Sequence, residues 1–142
     1  MALPDNVPGE VGACPGMPAL SAAHAVLTDG GVKGQRVLVA GGAGAVDRYG
    51  VQFAHLLGAR QVITTVSSAV KVEWARRAGA DLLVNYRSEN VVERVLEATD
   101  GAGVDRVIKV DIAANAVIDM EVKQRVANAH NAATKAACGA PR

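Results

Sequence analysis

The hydrophobic positions of this chain follow two alternating patterns between residues 36 and 110. Short runs of apolar and β-branched residues occur at 36–40 (RVLVA), 61–66 (QVITTV), 81–85 (DLLVN) and 106–110 (RVIKV). Continuous apolar runs, rather than strictly alternating ones, are typical of parallel strands that are covered on both faces. The pattern therefore predicts four short parallel strands.

The segments between these runs carry apolar residues at helical spacing. Gly58 and Gly79 are expected to end the first two helices, and an Asp-Gly-Ala-Gly turn at 100–103 follows the third. Helices of this length supply the crossovers that parallel pairing requires. The order β-α-β-α-β-α-β predicts an α/β fold, a Rossmann-like doubly wound parallel sheet of about four strands.

The two ends of the chain have different compositions from its centre. Residues 1–17 contain three of the five prolines and predict an irregular lead-in. A short helix is predicted over 18–27, at the start of a domain that is expected to span residues 18–111. The Ala-rich residues 112–142 predict a helical tail.

Composition excludes several classes of function. A net charge of +1 and an aromatic content of 3% do not fit a nucleic-acid-binding surface. Apolar runs are too short to span a bilayer, which predicts no membrane partner. The start shows no signal-peptide pattern. Cys14 and Cys138 are interpreted as free thiols, and a disulfide between them is the alternative. These features predict a cytoplasmic protein, and no residue set suggests a catalytic zinc.

The segment after the first predicted strand carries the candidate chemistry. It reads GGAGAVD from Gly41 to Asp47, and Gly42 and Gly44 occupy the first two positions of a G-x-G-x-x-G fingerprint. Glycine allows a sharp turn and lets backbone N–H groups approach a diphosphate, which the following helix N-terminus also attracts. The turn therefore indicates a dinucleotide site, and an ordinary strand-to-helix connection is the alternative.

The third position of this fingerprint is Asp47 instead of glycine. A side chain there is expected to obstruct close packing of the helix on the strand. A carboxylate there also stands near the place of the diphosphate, which predicts weakened cofactor binding. As an acid in the first turn, Asp47 is also expected to stabilise the helix by roughly 0.3–1 kcal/mol.

The end of the second predicted strand distinguishes between cofactors. A site for NAD usually places an acidic residue here to hold the ribose 2′-hydroxyl. This chain has Ser67 and Ser68, followed by Lys71, which suit a 2′-phosphate and therefore NADP(H). The alternative interpretation of Ser67 is the N-cap of the next helix. The missing acid also argues against a site for S-adenosylmethionine.

From about Gly16 to Asp111 the chain resembles the cofactor domain of medium-chain dehydrogenase/reductases. The motifs GMPALSAAHAVL and VLVAGGAGAV carry the resemblance, which is greatest to the zinc-independent quinone oxidoreductase (zeta-crystallin-like) branch. It implies an NADP(H)-binding portion of an enzyme that transfers hydride to quinones or other activated carbonyl compounds. The cofactor-binding residues that it implies are Gly41, Gly42, Ala43, Gly44, Ala45, Val46, Ser67, Ser68, Lys71 and Tyr86.

The chain also departs from that family. Asp47 stands where the family has glycine, the family's N-terminal catalytic domain is missing, and a predicted helical tail replaces its further strands. The sheet is therefore expected to be incomplete relative to the family, and the chain alone to have little or no activity. The alternative is a truncated, non-catalytic α/β binding or interaction module, whose exposed sheet edge would allow a homodimer.

Overall fold

A computed structural model describes residues 3–109 of the chain. The helices are α1 (Gly9–Ala13), α2 (Gly16–Leu27), α3 (Ala45–Leu56), α4 (Ala69–Arg77) and α5 (Val91–Ala98). The strands are β1 (Arg36–Val39), β2 (Gln61–Val66), β3 (Leu82–Asn85) and β4 (Arg106–Ile108). The strands form one parallel sheet in the order β3-β2-β1-β4. The predicted Rossmann-like α/β fold is confirmed.

Both faces of the sheet are buried. Val37 and Val39 of β1 pack on one face with residues of α2 and α3, such as Val26 and Val51. Leu38, between them, packs on the other face against α5 and its neighbours. This burial on both sides explains why the strands are continuous apolar runs in the sequence, since neither face of β1 meets water.

The strand order creates a point at which the chain reverses direction across the sheet. From β1 the chain moves through α3, β2 and α4 to β3, at one edge. It then crosses through α5 to β4, on the other side of β1. Open α/β sheets bind ligands outside the carboxyl ends of the strands at such a switch point. The glycine turn after β1 lies there.

The first residues differ from the prediction. Residues Gly9–Ala13 form a short helix, and α2 begins at Gly16, two residues earlier than predicted. Pro8 and Pro15 are the N-cap residues of these helices, and proline is tolerated at a helix start because its missing N–H is not needed there. The prediction of an irregular lead-in is therefore wrong for Gly9–Ala13, and the predicted domain boundaries remain predictions.

Several predicted features lie outside the described residues. They are Val110, which ends the fourth predicted strand, the end of the predicted domain at Asp111, Cys138, and the helical tail over 112–142. Cys14 is an exposed free thiol. Between residues 3 and 109, no helix combines the length and the apolar character needed to cross a bilayer.

Candidate functional site

The glycine turn is held in place by two threonines of β2. The Gly41 N–H donates to Oγ1 of Thr65 over 3.0 Å, and the Gly42 N–H donates to the Thr65 carbonyl over 3.1 Å. The Thr64 hydroxyl donates to the Val39 carbonyl over 2.7 Å. Because both threonines are buried, these bonds fix where the turn leaves β1.

Two glycines of the turn are required for different reasons. Gly41 has a φ of 89°, a left-handed conformation that favours glycine. A Cβ on Gly42 would overlap the Thr64 side chain and lie 2.9 Å from its Cβ and Cγ2 atoms. The sequence had suggested glycine for approach to a ligand, and the structure adds a packing reason at Gly42.

The first turn of α3 leaves backbone donors open. Its N-cap is Gly44, which has no side chain to accept from them. Within residues 3–109, the N–H groups of Ala45 and Val46 have no hydrogen-bond partner. Free amides and the positive end of the helix dipole at the carboxyl edge of a sheet together form an anion-binding arrangement.

Asp47 directs its carboxyl group back toward this turn. A Cβ on Gly44 would lie 2.5 Å from Oδ2 of Asp47, and one on Gly41 would lie 3.2 Å from it. The other oxygen, Oδ1, is buried without a hydrogen-bond partner in the described part of the chain. Burial raises the pKa of Asp47 from its ordinary value of 3.8 to about 6, against a smaller lowering by its own backbone amide. The carboxyl group is therefore poorly solvated where it lies.

The contact between α3 and β1 is seen at Gly50, one helical turn after Asp47, where a Cβ would lie 3.5 Å from Cγ1 of Val39. Gly50 is buried, whereas Asp47 is half-buried. The helix register directs the Asp47 carboxyl toward Gly41 and Gly44. That a side chain at position 47 obstructs the packing of the helix on the strand stays a prediction.

The predicted 2′-phosphate residues lie at the carboxyl end of β2. Ser68 is the N-cap of α4, although its side chain makes no capping bond, so the alternative of Ser67 as N-cap is wrong. Ser67 is half-buried and Lys71 is exposed in the first turn of α4. Neither serine hydroxyl has a hydrogen-bond partner within the described residues. Both hydroxyls are therefore open to a ligand.

Tyr86 lies at the same edge of the sheet. It follows β3, and its N–H donates to the Val66 carbonyl over 3.1 Å. Its side chain is 40% exposed. Since β1, β2 and β3 run parallel, all predicted cofactor-binding residues follow the carboxyl ends of three adjacent strands, although their contacts with a cofactor remain predictions.

Several residues of this region were not predicted from the sequence. The signal for Thr64 and Thr65 was a pair of hydroxyl residues inside an otherwise apolar strand. Arg48 was also missed; its guanidinium carbon lies 5.3 Å from the ring centre of Trp74 on α4. Arg48 also lines a cavity of about 410 Å³ beside the start of α3. No sequence signal pointed to this contact between helices.

A metal site is not found in the described part of the chain. Residues 3–109 contain no group of three or more His, Cys, Asp or Glu residues that could hold a metal ion.

Comparison with known proteins places the chain among dehydrogenases. A family model described as zinc-binding dehydrogenase matches residues 45–136. A quinone oxidoreductase of Pseudomonas aeruginosa is 46% identical over 68 residues, which are 48% of this chain and 21% of that protein. A component of the phenolphthiocerol/phthiocerol polyketide synthase of Mycobacterium tuberculosis is 35% identical over 107 residues, 75% of this chain and 5% of that protein.

The fold is also that of a protein with a bound nicotinamide cofactor. A mycobacterial protein solved in complex with NADPH superposes with a TM-score of 0.66 at 38% identity, over 74% of this chain and 33% of that one. The chain therefore spans only a small part of the relatives that it matches: 5% and 21% of the two curated proteins.

Proposed function

Because this chain belongs to the zinc-binding dehydrogenase family of the medium-chain dehydrogenase/reductase superfamily, we propose that it binds NADP(H) at the carboxyl edge of its sheet. It would do so as the cofactor-binding portion of a quinone-oxidoreductase-like hydride-transfer enzyme. The observation that carries the proposal is the glycine turn at the switch point, with open amides at the start of α3.

The glycine turn fits a diphosphate in its backbone. The open main-chain donors are the N–H groups of Ala45 and Val46 at the start of α3, and the helix dipole adds partial positive charge. The N–H groups of residues 41–44 donate to oxygens of Thr65 and Gly41, so they would have to exchange these bonds for contacts with a diphosphate. We assign the diphosphate contacts to the predicted residues Gly41, Gly42, Ala43, Gly44, Ala45 and Val46. The Asp47 carboxyl, which lies beside Gly41 and Gly44, opposes an anion there.

The preference for NADP(H) rests on the end of β2. Residues 67–72 contain no acidic side chain that could hold a ribose 2′-hydroxyl. Ser67 and Ser68 offer two open hydroxyls, and Lys71 offers a cation one turn into α4. Hydroxyl donors beside an ammonium group suit a phosphate. Tyr86, exposed after β3, would cover the adenosine.

The hydride acceptor is proposed from the relatives. They include quinone oxidoreductases, so quinones or other activated carbonyl compounds are the substrate class that we propose. Hydride transfer requires the acceptor to be held in near-attack geometry, and residues 3–109 hold few groups for that task. We therefore propose weak or no activity for this chain by itself. We also propose a cytoplasmic location for the protein, as predicted from the sequence.

Titration with NADPH, followed by its fluorescence, tests the binding proposal. We expect saturable binding, weakened about tenfold in Lys71→Ala through the loss of one charge-assisted contact to the 2′-phosphate. NADH binding should change little in that variant. Arg76→Ala, which removes an exposed cation from the same helix, is the matched control and should bind NADPH as the parent does.

Two results would contradict this proposal. Absence of saturation at millimolar NADPH would exclude the cofactor site itself. Equal NADPH affinities for Lys71→Ala and Arg76→Ala would exclude Lys71 as a ligand of the 2′-phosphate and leave the diphosphate site standing.

A second candidate function is a non-catalytic binding or interaction module. The observation that favours it is the Asp47 carboxyl inside the glycine turn. In that case the exposed edge of the sheet would pair with another chain. The simplest such assembly is a homodimer, in which the partner is a second copy of this chain. Size-exclusion chromatography at several protein concentrations tests this: a concentration-dependent dimer supports it, and a monomer throughout excludes it.

A further inference from the structure

Asp47 occupies the part of the glycine turn to which a diphosphate would bind. Its Oδ2 atom lies beside Gly41 and Gly44, at 3.2 and 2.5 Å from the positions of their missing Cβ atoms. Space that glycine leaves open for a ligand is thus filled by a carboxyl group from the first turn of α3. Oδ1 is buried without a partner in residues 3–109, and the backbone amide of Asp47 itself offsets only part of the effect of burial on this group.

A diphosphate in this turn would place a second negative group beside that carboxylate. Two anions that share one desolvated site cannot both remain ionised without a large repulsive free energy, and the weaker acid of the two takes up a proton. The diphosphate is the stronger acid, so the proton would be held by Asp47. A neutral carboxyl group could instead donate a hydrogen bond to a phosphate oxygen.

We propose that Asp47 must be protonated when a dinucleotide occupies the turn, so that cofactor binding takes up one proton and weakens as the pH rises. This inference rests on the proposed function, because it assumes a diphosphate at this turn. The affinity of the chain for the cofactor would then depend on pH through the protonation of Asp47.

The surroundings of Asp47 support the proposal. Burial already raises the pKa of Asp47 to about 6 in the absence of ligand. The β2 residues behind the turn are the neutral Thr64 and Thr65. The titratable or charged groups are Arg48, Tyr49 and His55 on α3 itself, and His24 of α2 and Arg36 of β1 on the elements packed against it. None of them is a cause of the raised pKa of Asp47, which burial and its own amide determine.

The expected effect follows from the protonated fraction of Asp47. Above its pKa, each pH unit lowers this fraction about tenfold, so the affinity should fall by about 30-fold between pH 5 and pH 7.5. Below about pH 5 the affinity should become independent of pH, since Asp47 is then neutral before the ligand arrives.

Isothermal titration calorimetry of the full chain with NAD⁺ and NADP⁺ tests the proposal. Both oxidised cofactors are stable in acid, and NAD⁺ lacks the 2′-phosphate that itself titrates in this range. Titrations at several pH values, each in two buffers of different ionisation enthalpy, give the number of protons taken up. Asp47→Asn keeps the size of the side chain without its charge. Glu93→Gln, which alters an acid at the same position of α5, is the matched control.

We expect the parent chain and Glu93→Gln to take up close to one proton on binding NAD⁺ at about pH 7.5. Asp47→Asn should take up none, bind with an affinity independent of pH, and exceed the parent about 30-fold at that pH. A parent chain and Asp47→Asn with the same affinity at every pH would overturn the inference and leave the proposed function intact. Absence of binding by all variants at all pH values would instead overturn the proposed function, and this inference with it.

Discussion

The first turns of α3 and α5 differ in how their backbone N–H groups are bonded. Each helix follows a strand and has backbone N–H groups without helical partners in its first turn. At α5 the Asn90 side chain accepts from the N–H groups of Val92 and Glu93, over 3.1 and 3.3 Å. At α3 the N-cap is Gly44, which has no side chain to accept, and the N–H groups of Ala45 and Val46 have no partner within residues 3–109. The start of α5 is thus capped by a side chain, whereas the start of α3 leaves two donors open.

The acidic residues in the first turns of α3 and α5 also differ, in their access to water. Glu93 and Asp47 are both the third residue of their helix. Glu93 is exposed, so it interacts with the helix dipole at little desolvation penalty. Asp47 is half-buried, and its pKa is raised to about 6. An acid at one helical position can therefore stabilise a fold or oppose a bound anion, depending on its access to water.

The largest effect on stability is expected at Gly42. Gly42→Ala would force the new Cβ into the Thr64 side chain and displace the turn that precedes α3. We expect the free energy of unfolding to fall by about 1–3 kcal/mol in urea denaturation, the range for overpacking a buried site. Gly9→Ala is the control, since no atom lies within 4 Å of its added Cβ, and it should change stability by less than about 0.5 kcal/mol. Equal stabilities of the two variants would contradict the packing role of Gly42.

A smaller effect is expected at the capped helix. Asn90→Ala removes the acceptor of two backbone donors and should lower the free energy of unfolding by about 1 kcal/mol, without changing NADPH affinity. Ser68→Ala removes an N-cap side chain that makes no capping bond, so its loss of stability should be clearly smaller. Similar losses in the two variants would show that the Asn90 bonds do not set the stability of α5.

The smallest effects should have opposite signs at the two first-turn acids. Because the folded state raises the pKa of Asp47 from 3.8 to about 6, it binds more protons than the unfolded state in that window, and stability falls as the pH rises through it. At about pH 7.5, Asp47→Asn should therefore stabilise the chain by roughly 0.5–1 kcal/mol, discounted because solvent reaches part of the side chain.

Glu93→Gln should instead destabilise the chain by about 0.3–0.5 kcal/mol through the lost dipole interaction. Urea denaturation of both variants at about pH 4 and pH 7.5 measures the contrast. Shifts of the same sign in both variants at pH 7.5 would show that the environments of the two acids do not differ as the structure indicates.

Much of the fold was predictable from local pattern. The β2 run QVITTV was predicted over 61–66 and forms Gln61–Val66. Gly58 and Gly79 were expected to end their helices, and both have positive φ just beyond α3 and α4. The lead-in was less predictable, because prolines that suggest irregular structure also serve as helix starts. Only the surrounding chain decides between these two uses.

The candidate site was predictable in its location but not in its contacts. The glycine turn, the serines after β2, Lys71 and Tyr86 were identified from the sequence, since parallel strands bring their carboxyl ends to one edge. The contacts of the Asp47 carboxyl with Gly41 and Gly44 depend on the register of α3, which is fixed together with the packing of Gly50 on β1. The hydroxyl bonds of Thr64 and Thr65 also required the neighbouring strand.

The amino-acid sequence by itself determined the order of strands and helices, the parallel sheet and the edge at which a ligand is expected. These features depend on periodicity and on glycine, both of which act within a few residues along the chain. Only the tertiary structure decided that Gly42 is needed for packing and that the Asp47 carboxyl lies inside the turn, with one oxygen buried without a partner among the described residues. Space and access to water at a residue are set by segments distant in sequence, so neither follows from local pattern.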